Sequence, residues 1–332
     1  MQDTALEELE KREKEIISRI PWKAGIFLPT DRFSPEDRAR GLERVLKVWE
    51  NDWATKYCHE LRTLRKQYGN RRRCFIIGNG PSINQTNLDL LINEVTFGVN
   101  GIFLKFLETR FRPTFYVVED HLVAEDRSAE INALTGPVKL FPIYTAYCLD
   151  EGPNTIFFNH RPRPSYPHAF DFSTDASKIT YAGCTVTFTC MQLAFYFGFR
   201  EIYLIGVDHH YDIPQDVEQQ NSYGTKILDM PGHDPNHFHP EYFGKGRRWH
   251  DPQVEKTTEA FKEALRVTRS KDVRIFNATI GGKLEVFPRV DYYSLFDPSR
   301  TPTHPPAVSN DEPSSRATRF LGRIKRYLPT KG

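Results

Sequence analysis

Phe75 to Ser82 read FIIGNGPS. Phe75, Ile76 and Ile77 form an apolar strand-type run. Gly78, Asn79 and Gly80 suit a tight turn, and Pro81 suits the first position of a helical turn, with Ser82 behind it. A strand that runs into a glycine-rich turn and a helical start brings bare backbone N–H groups up to an anionic ligand. Asn79 adds an amide that both donates and accepts. The chemistry expected of this stretch is binding of an anionic ligand, and the alternative is an ordinary turn. It lacks the Gly-Lys-Ser/Thr ending of a P-loop, and it is not a GxGxxG fingerprint.

A second concentration of reactive side chains is HDPNHFHPEYFGKGRRWHDP, from His233 to Pro252. Imidazole titrates in the range a general base needs. His250, His237 and His239 are the candidate bases, and an exposed loop with no catalytic histidine is the remaining reading. His250 precedes Asp251-Pro252, where a helix is expected to begin; adjacent side chains diverge, so a partner from elsewhere must fix its tautomer. His237 and His239, with Asp208 or Asp234, also make a candidate zinc or manganese set. Lys245, Arg247 and Arg248, with Tyr211 or Tyr242, are suited to stabilise a departing phosphate.

These residues need elements to hold them. Apolar β runs occur at Cys74–Ile77, Val95–Val99, Thr114–Val118, Val138–Phe141, Thr155–Phe158, Ile202–Ile205 and Arg274–Phe276. Helical patterns lie between several of them, at Gly101–Thr109, Thr185–Phe197 and Pro252–Arg269. Such alternation predicts an α/β fold, Rossmann-like, with a mainly parallel sheet covered by helices on both faces. Ligands of such sheets bind beyond the C-terminal strand ends. Asn79, Asn100, Asp120, Asp208 and Asn277 all fall at such ends, which favours a shared ligand site over five separate caps or turns.

The first 70 residues are expected to form a helical N-terminal subdomain (1–70). Within it, Ser34-Pro35-Glu36-Asp37 has the form of a helix start, and Leu42, Val45, Leu46 and Trp49 recur at helical spacing. Residues 71–296 form the expected catalytic domain. Residues 297–315 are Pro- and Ser-rich and read as a linker. Residues 316–332 predict a basic amphipathic helix suited to an anionic membrane surface, the alternative being a helix docked on its own domain.

The 332 residues carry a formal net charge of +2, so no nucleic-acid partner is implied. Cys58, Cys74, Cys148, Cys184 and Cys190 are odd in number and form no CxxC pair. They predict thiols in a reducing compartment and no cysteine zinc site. The charged N-terminus is no signal peptide, and no apolar run reaches membrane-spanning length. The expected location is cytoplasmic, peripheral on the inner face of the cell membrane.

GNGPS after the first strand, GFREIYLIGVD (Gly198–Asp208) and the histidine loop together resemble the bacterial sialyltransferase fold typified by the Campylobacter enzymes. They resemble more closely the broader domain family once called DUF115, which includes the archaeal 6-hydroxymethyl-7,8-dihydropterin pyrophosphokinase. The resemblance spans residues 73 to about 292. It implies that Asn79 and Gly80 meet the phosphate and ribose of a CMP-sugar, with Gly78 and Ser82 of the same turn in the nucleotide-binding set. It also implies that Asn100 lies on the donor side, that Gly183 to Thr185 lie near cytosine or the donor sugar, and that Asp208 shapes the floor; Asn277 joins the nucleotide set as a strand-end residue. His210, Tyr211 and Tyr223 fall where the sialyltransferases hold the leaving phosphate with tyrosines, and His250 falls at the general base. Asp120 departs from the asparagine of those enzymes. A carboxylate facing a phosphate needs a proton or a cation, so Asp120 and Asp208 become candidate Mg²⁺ or Mn²⁺ ligands.

The resemblance implies a glycosyltransferase moving a nonulosonate-type sugar, sialic acid-like or Kdo-like, from a CMP donor to a surface glycan or glycolipid precursor. No cofactor is required on that reading, and a homo-oligomer is left open. The alternatives are an ATP-dependent pterin pyrophosphokinase using Asp120 and Asp208 with Mg²⁺, and a non-catalytic nucleotide- or glycan-binding scaffold.

Overall fold

The computed structural model describes residues 2–21, 33–162, 168–213, 218–222, 225–229 and 232–296. Along the chain come strands β1 (Arg73–Ile77), β2 (Thr96–Val99), β3 (Phe115–Val117), β4 (Val138–Pro142) and β5 (Thr155–Phe158). The short β6 (His160–Arg161) and β7 (Thr180–Tyr181) follow, then β8 (Glu201–Ile205), β9 (Glu218–Ser222), β10 (Thr225–Asp229), β11 (Arg248–His250) and β12 (Arg274–Asn277). The helices are α1 (Gln2–Arg19), α2 (Pro35–Lys47), α3 (Cys58–Tyr68), α4 (His121–Asp126), α5 (Ser128–Asn132), α6 (Val186–Phe197) and α7 (Val254–Arg269).

Seven strands make one sheet in the order β12-β8-β1-β2-β3-β4-β5, every neighbouring pair parallel. In β1, Cys74 to Ile77 are all buried, the continuous apolar pattern of a strand covered on both faces. The chain lays β1 to β5 outward on one side, then crosses back to place β8 against the other side of β1. The strand order therefore reverses between β1 and β8, where the paired ends Ile77 and Ile205 open a crevice. The α/β, Rossmann-like expectation holds, and each expected core strand is present within a residue or so of its expected bounds.

Local chemistry explains the helices near this crevice. Thr185 caps α6 by accepting from the Thr187 N–H, and Gly198 ends it in the left-handed region at φ 97°. Between those caps α6 is apolar almost all round, and it is buried to match. In α2, Ser34 accepts from the Asp37 N–H and Pro35 takes the first helical position. Leu42, Val45 and Leu46 are buried, while Trp49 is half-buried. Residues of α1 to α3, and of the π-helical segment Val48–Tyr57 between α2 and α3, share a hydrophobic cluster with the sheet, for example Tyr57 edge-on to Phe157 at 5.6 Å.

Two features differ from the sequence reading. Residues 100–107 wind as 3₁₀ rather than α-helix. The histidine loop is not a bare loop, because β11 pairs antiparallel with β10, and β10 with β9, as a separate three-stranded sheet. Tyr223, the linker 297–315 and the amphipathic helix 316–332 lie outside the described residues. Among the described residues no helix is long and apolar enough to cross a membrane.

Candidate active site

The crevice between the ends of β1 and β8 is a cleft. Gly78, Asn79 and Gly80 line it after β1, and Asn100 after β2. Gly206 to Tyr211 line it after β8, Cys184 to Thr187 at the start of α6, and Asn236, His237 and Tyr242 from the histidine loop. Pro252, Thr257 and Phe261 close the α7 side. Gly78, Asn79, Gly80, Asn100, Thr185, Asp208, Tyr211 and His237, all candidates from the sequence, thus share one cavity.

The Gly78–Ser82 turn is closed by the protein itself. The Gly78 N–H donates to Ile205 O at 2.8 Å and the Gly80 N–H to Gly206 O at 2.9 Å. The Ser82 N–H and hydroxyl both donate to the Asp208 carboxylate, at 3.2 and 2.7 Å. Asp208 thus holds the place at the 3₁₀ start where the sequence reading put a phosphate. A Cβ built on Gly80 would lie 1.9 Å from Asp208 Oδ2, so the close approach that glycine permits is to this side chain. Burial pushes the Asp208 carboxyl above the ordinary aspartate range, despite the two bonds from Ser82.

An N-terminus of a longer helix does face the cleft, but it belongs to α6, through Cys184 to Thr187. Deeper in the cleft, Asn79 Nδ2 donates to Val99 O at 2.9 Å and to the Tyr242 hydroxyl at 3.0 Å. That fixes the amide orientation and leaves Asn79 Oδ1 buried without a hydrogen-bond partner; Asn100 Oδ1 is in the same state. Two buried acceptors lining one cleft ask for donors from a ligand. Burial first, then Asp208 and Asp234, push the Tyr211 hydroxyl up to about 12, so it stays a donor.

His237 is held as a general base would be. Its Nδ1 lies 2.7 Å from Asp234 Oδ2, and its ring stacks on Tyr242 at 4.0 Å with the planes 4° apart. Asp234 is buried and also accepts from the Asn236 N–H at 2.8 Å and the Phe243 N–H at 3.1 Å. With Nδ1–H turned to the carboxylate, Nε2 carries the lone pair. Arg127 anchors the loop, donating to the carbonyls of Glu241 and Tyr242 at 2.7 Å each.

The remaining candidates lie elsewhere. Ser82 clasps Asp208. Asn277 is 1 % exposed and spends both amide groups in its own turn, on Leu284 O and the Thr279 N–H, so it supports the strand end rather than facing the cleft. Gly183 packs against Phe188. His239 is half-buried and accepts from the Glu241 N–H. Arg248 is buried and paired with Glu125 and Asp126 at 2.7 and 2.8 Å, and Arg247 donates to Asp126 O; both brace the loop instead of reaching for a leaving group. Lys245 is exposed.

Asp120 and His250 meet each other. His250 Nδ1 lies 3.0 Å from Asp120 Oδ2, which supplies the orienting partner that Asp251 could not. Neither lines the cleft. Asp120 caps α4 through the Leu122 N–H at 2.8 Å, and the His121 ring lies 5.0 Å from that of His250. Burial works against its charge, yet the His250 charge and hydrogen bond hold the Asp120 carboxyl down to about 2. Burial also pulls at His250, but Asp120 outweighs it and raises the imidazole. Asp120 and Asp208 do not share a metal position. Their strands are separated by β1 and β2, which puts the ends about 14 Å apart at the usual strand spacing. His121 went unread in the sequence, and Asp234, read there as a metal ligand beside His237, is instead its hydrogen-bond partner. The signal for His121 was a polar pair, Asp120-His121, after a strand, just as Asp208-His209 follows β8.

Residues 51–214 match the family model described as 6-hydroxymethylpterin diphosphokinase MptE-like. No curated protein matches the chain. The match runs from the π-helical segment before α3 to just past β8, so it includes the Gly78–Ser82 turn, Asn100, Asp120, the start of α6 and Asp208. His237 and His250 lie outside it.

Proposed function

We propose that the protein is a transferase acting on a CMP-activated, nonulosonate-type sugar, with the nucleotide in the β1–β8 cleft and a hydroxyl of a glycan or glycolipid as acceptor. One observation carries this reading. Among the described residues that line the cleft there is no lysine or arginine. The anion-binding features that line it are the α6 N-terminus and the Tyr211 hydroxyl, with the Lys283 ammonium behind them, 3.2 Å from Nδ1 of the lining His210, a set that suits the single phosphate of a CMP-sugar. Triphosphate chemistry relies on lysine, arginine and Mg²⁺ around the phosphates. The unpartnered oxygens of Asn79 and Asn100 accept from ribose hydroxyls or the cytosine amino group. In the transfer the acceptor oxygen bonds to the anomeric carbon while the carbon–oxygen bond to phosphate breaks. CMP leaves with the electron pair, and His237 Nε2 takes the acceptor proton.

The family match favours a second reading, pyrophosphoryl transfer from ATP to a hydroxymethylpterin. The two are separated by product. Incubation with a CMP-nonulosonate should release CMP, slowly to water and faster with an acceptor. Incubation with ATP and 6-hydroxymethyl-7,8-dihydropterin should release no AMP. AMP without CMP would overturn the sugar-transfer reading. A role for residues 316–332 in holding the protein at an anionic membrane, near a glycolipid acceptor, belongs to the same proposal.

A further inference from the structure

Asp120, His121 and His250 offer three metal-ligating side chains that the transfer reading does not use. Their donor atoms all lie within 4.8 Å of one another. His250 Nδ1 is 3.0 Å from Asp120 Oδ2, and His121 Nδ1 is 4.0 Å from Asp120 Oδ1. Ligands that share an ion at about 2.0–2.2 Å stand about 3.0–3.5 Å apart, so the first pair already has the required spacing and the second must close by under about 1 Å. The donors come from fixed elements. Asp120 is the cap and His121 the first residue of α4, while His250 ends β11. The buried Arg248 ties β11 to α4 through Glu125 and Asp126, so the three are preorganised rather than gathered by a loose loop. Side-chain exposures of 23 % for Asp120 and 24 % for His250 leave a route for an ion to enter.

We infer that these three residues bind one divalent transition-metal ion. Two imidazoles and one carboxylate suit Zn²⁺, Mn²⁺, Fe²⁺ or Co²⁺, and are a poor set for Mg²⁺, which takes oxygen ligands in an octahedron. Three protein ligands leave at least one coordination position for water or an oxygen of a bound molecule. The site stands at the end of β3, beside β2, whose end supplies Asn100 to the cleft. It does not depend on which reaction the cleft performs.

The test uses the full-length chain without a histidine tag, stripped with a chelator and dialysed against Zn²⁺ or Co²⁺. Wild type should retain one equivalent, unaffected by millimolar Mg²⁺. Asp120→Asn and His250→Gln should each bind about 100-fold or more weakly, whereas His239→Gln should bind as wild type does. Zn²⁺ should also protect the peptide carrying His250 from diethyl pyrocarbonate in wild type, a readout that needs no variant to fold. Wild type that retains no metal would overturn the inference. So would binding that survives both substitutions, or protection confined to His233–His239.

Discussion

Replacing Gly80 with alanine tests whether Asp208 is the partner for which this glycine makes room. Gly80 sits at φ −64° and ψ 163°, a backbone that alanine adopts freely, so the substitution carries no conformational penalty. What it meets is Asp208 Oδ2 at 1.9 Å, with backbone on both sides too tightly bonded to retreat. The carboxylate must swing away and give up both bonds from Ser82, in a region where Ser82 is 2 % exposed. Hydrogen bonds to a charged group are worth about 1.5–3 kcal/mol each, so the loss of two is about 3–6 kcal/mol. That is a large share of the roughly 5–15 kcal/mol of a typical domain. Urea denaturation reads it directly, with Asp208→Ala as the companion. Once the carboxylate is gone, Gly80→Ala should cost less than about 1 kcal/mol, giving a coupling of about 2–5 kcal/mol. A single variant within about 1 kcal/mol of wild type, or no coupling, would refute the reasoning and leave the turn free for a ligand.

Three further outcomes are expected. His237→Ala should lower turnover about 10²–10⁴-fold with donor affinity nearly unchanged, while His239→Ala stays near wild type; steady-state kinetics with CMP release decides it. Arg248→Met leaves Glu125 and Asp126 buried without their cation and should destabilise by about 3–5 kcal/mol in urea denaturation. Asp208 has its folded pKa above the unfolded value, so its contribution is present below the unfolded pKa and is lost as pH rises through the folded one. Asp208→Asn should therefore remove a decline in stability that sets in above about pH 4, seen as a flatter pH profile of chemical denaturation.

The sheet was legible because its strands carry their own signal. CFII and IYLI are apolar on both faces, which only a strand covered on both sides requires, and the polar residues that follow them mark its C-terminal edge. Ser34 announced a helix start through cap chemistry that is local in the chain. What the sequence could not provide was pairing across distance. Asp208 reads as a ligand contact until the fold sets it against Ser82, 126 residues away. Asn277 reads the same way until its amide turns back on Leu284. The basic residues of the histidine loop looked like leaving-group partners because charge was visible, while Glu125 and Asp126, which neutralise Arg248, lie in another element. The choice between His250 and His237 turned on which of two carboxylates each would meet, and on which ring would line the cleft.

The central claim is that the β1–β8 cleft binds a cytidine monophosphate-type donor without a cation cluster around the phosphate. Isothermal titration of the metal-stripped protein with CMP and with ATP, each with and without Mg²⁺, tests it most directly. CMP should bind in the absence of Mg²⁺ and lose affinity in Asn79→Asp, because a carboxylate in place of the amide loses its donor to Val99 O and leaves a buried charge where the amide oxygen accepts from the nucleoside. Tight binding of ATP that depends on Mg²⁺, with no binding of CMP under any condition, would contradict the account.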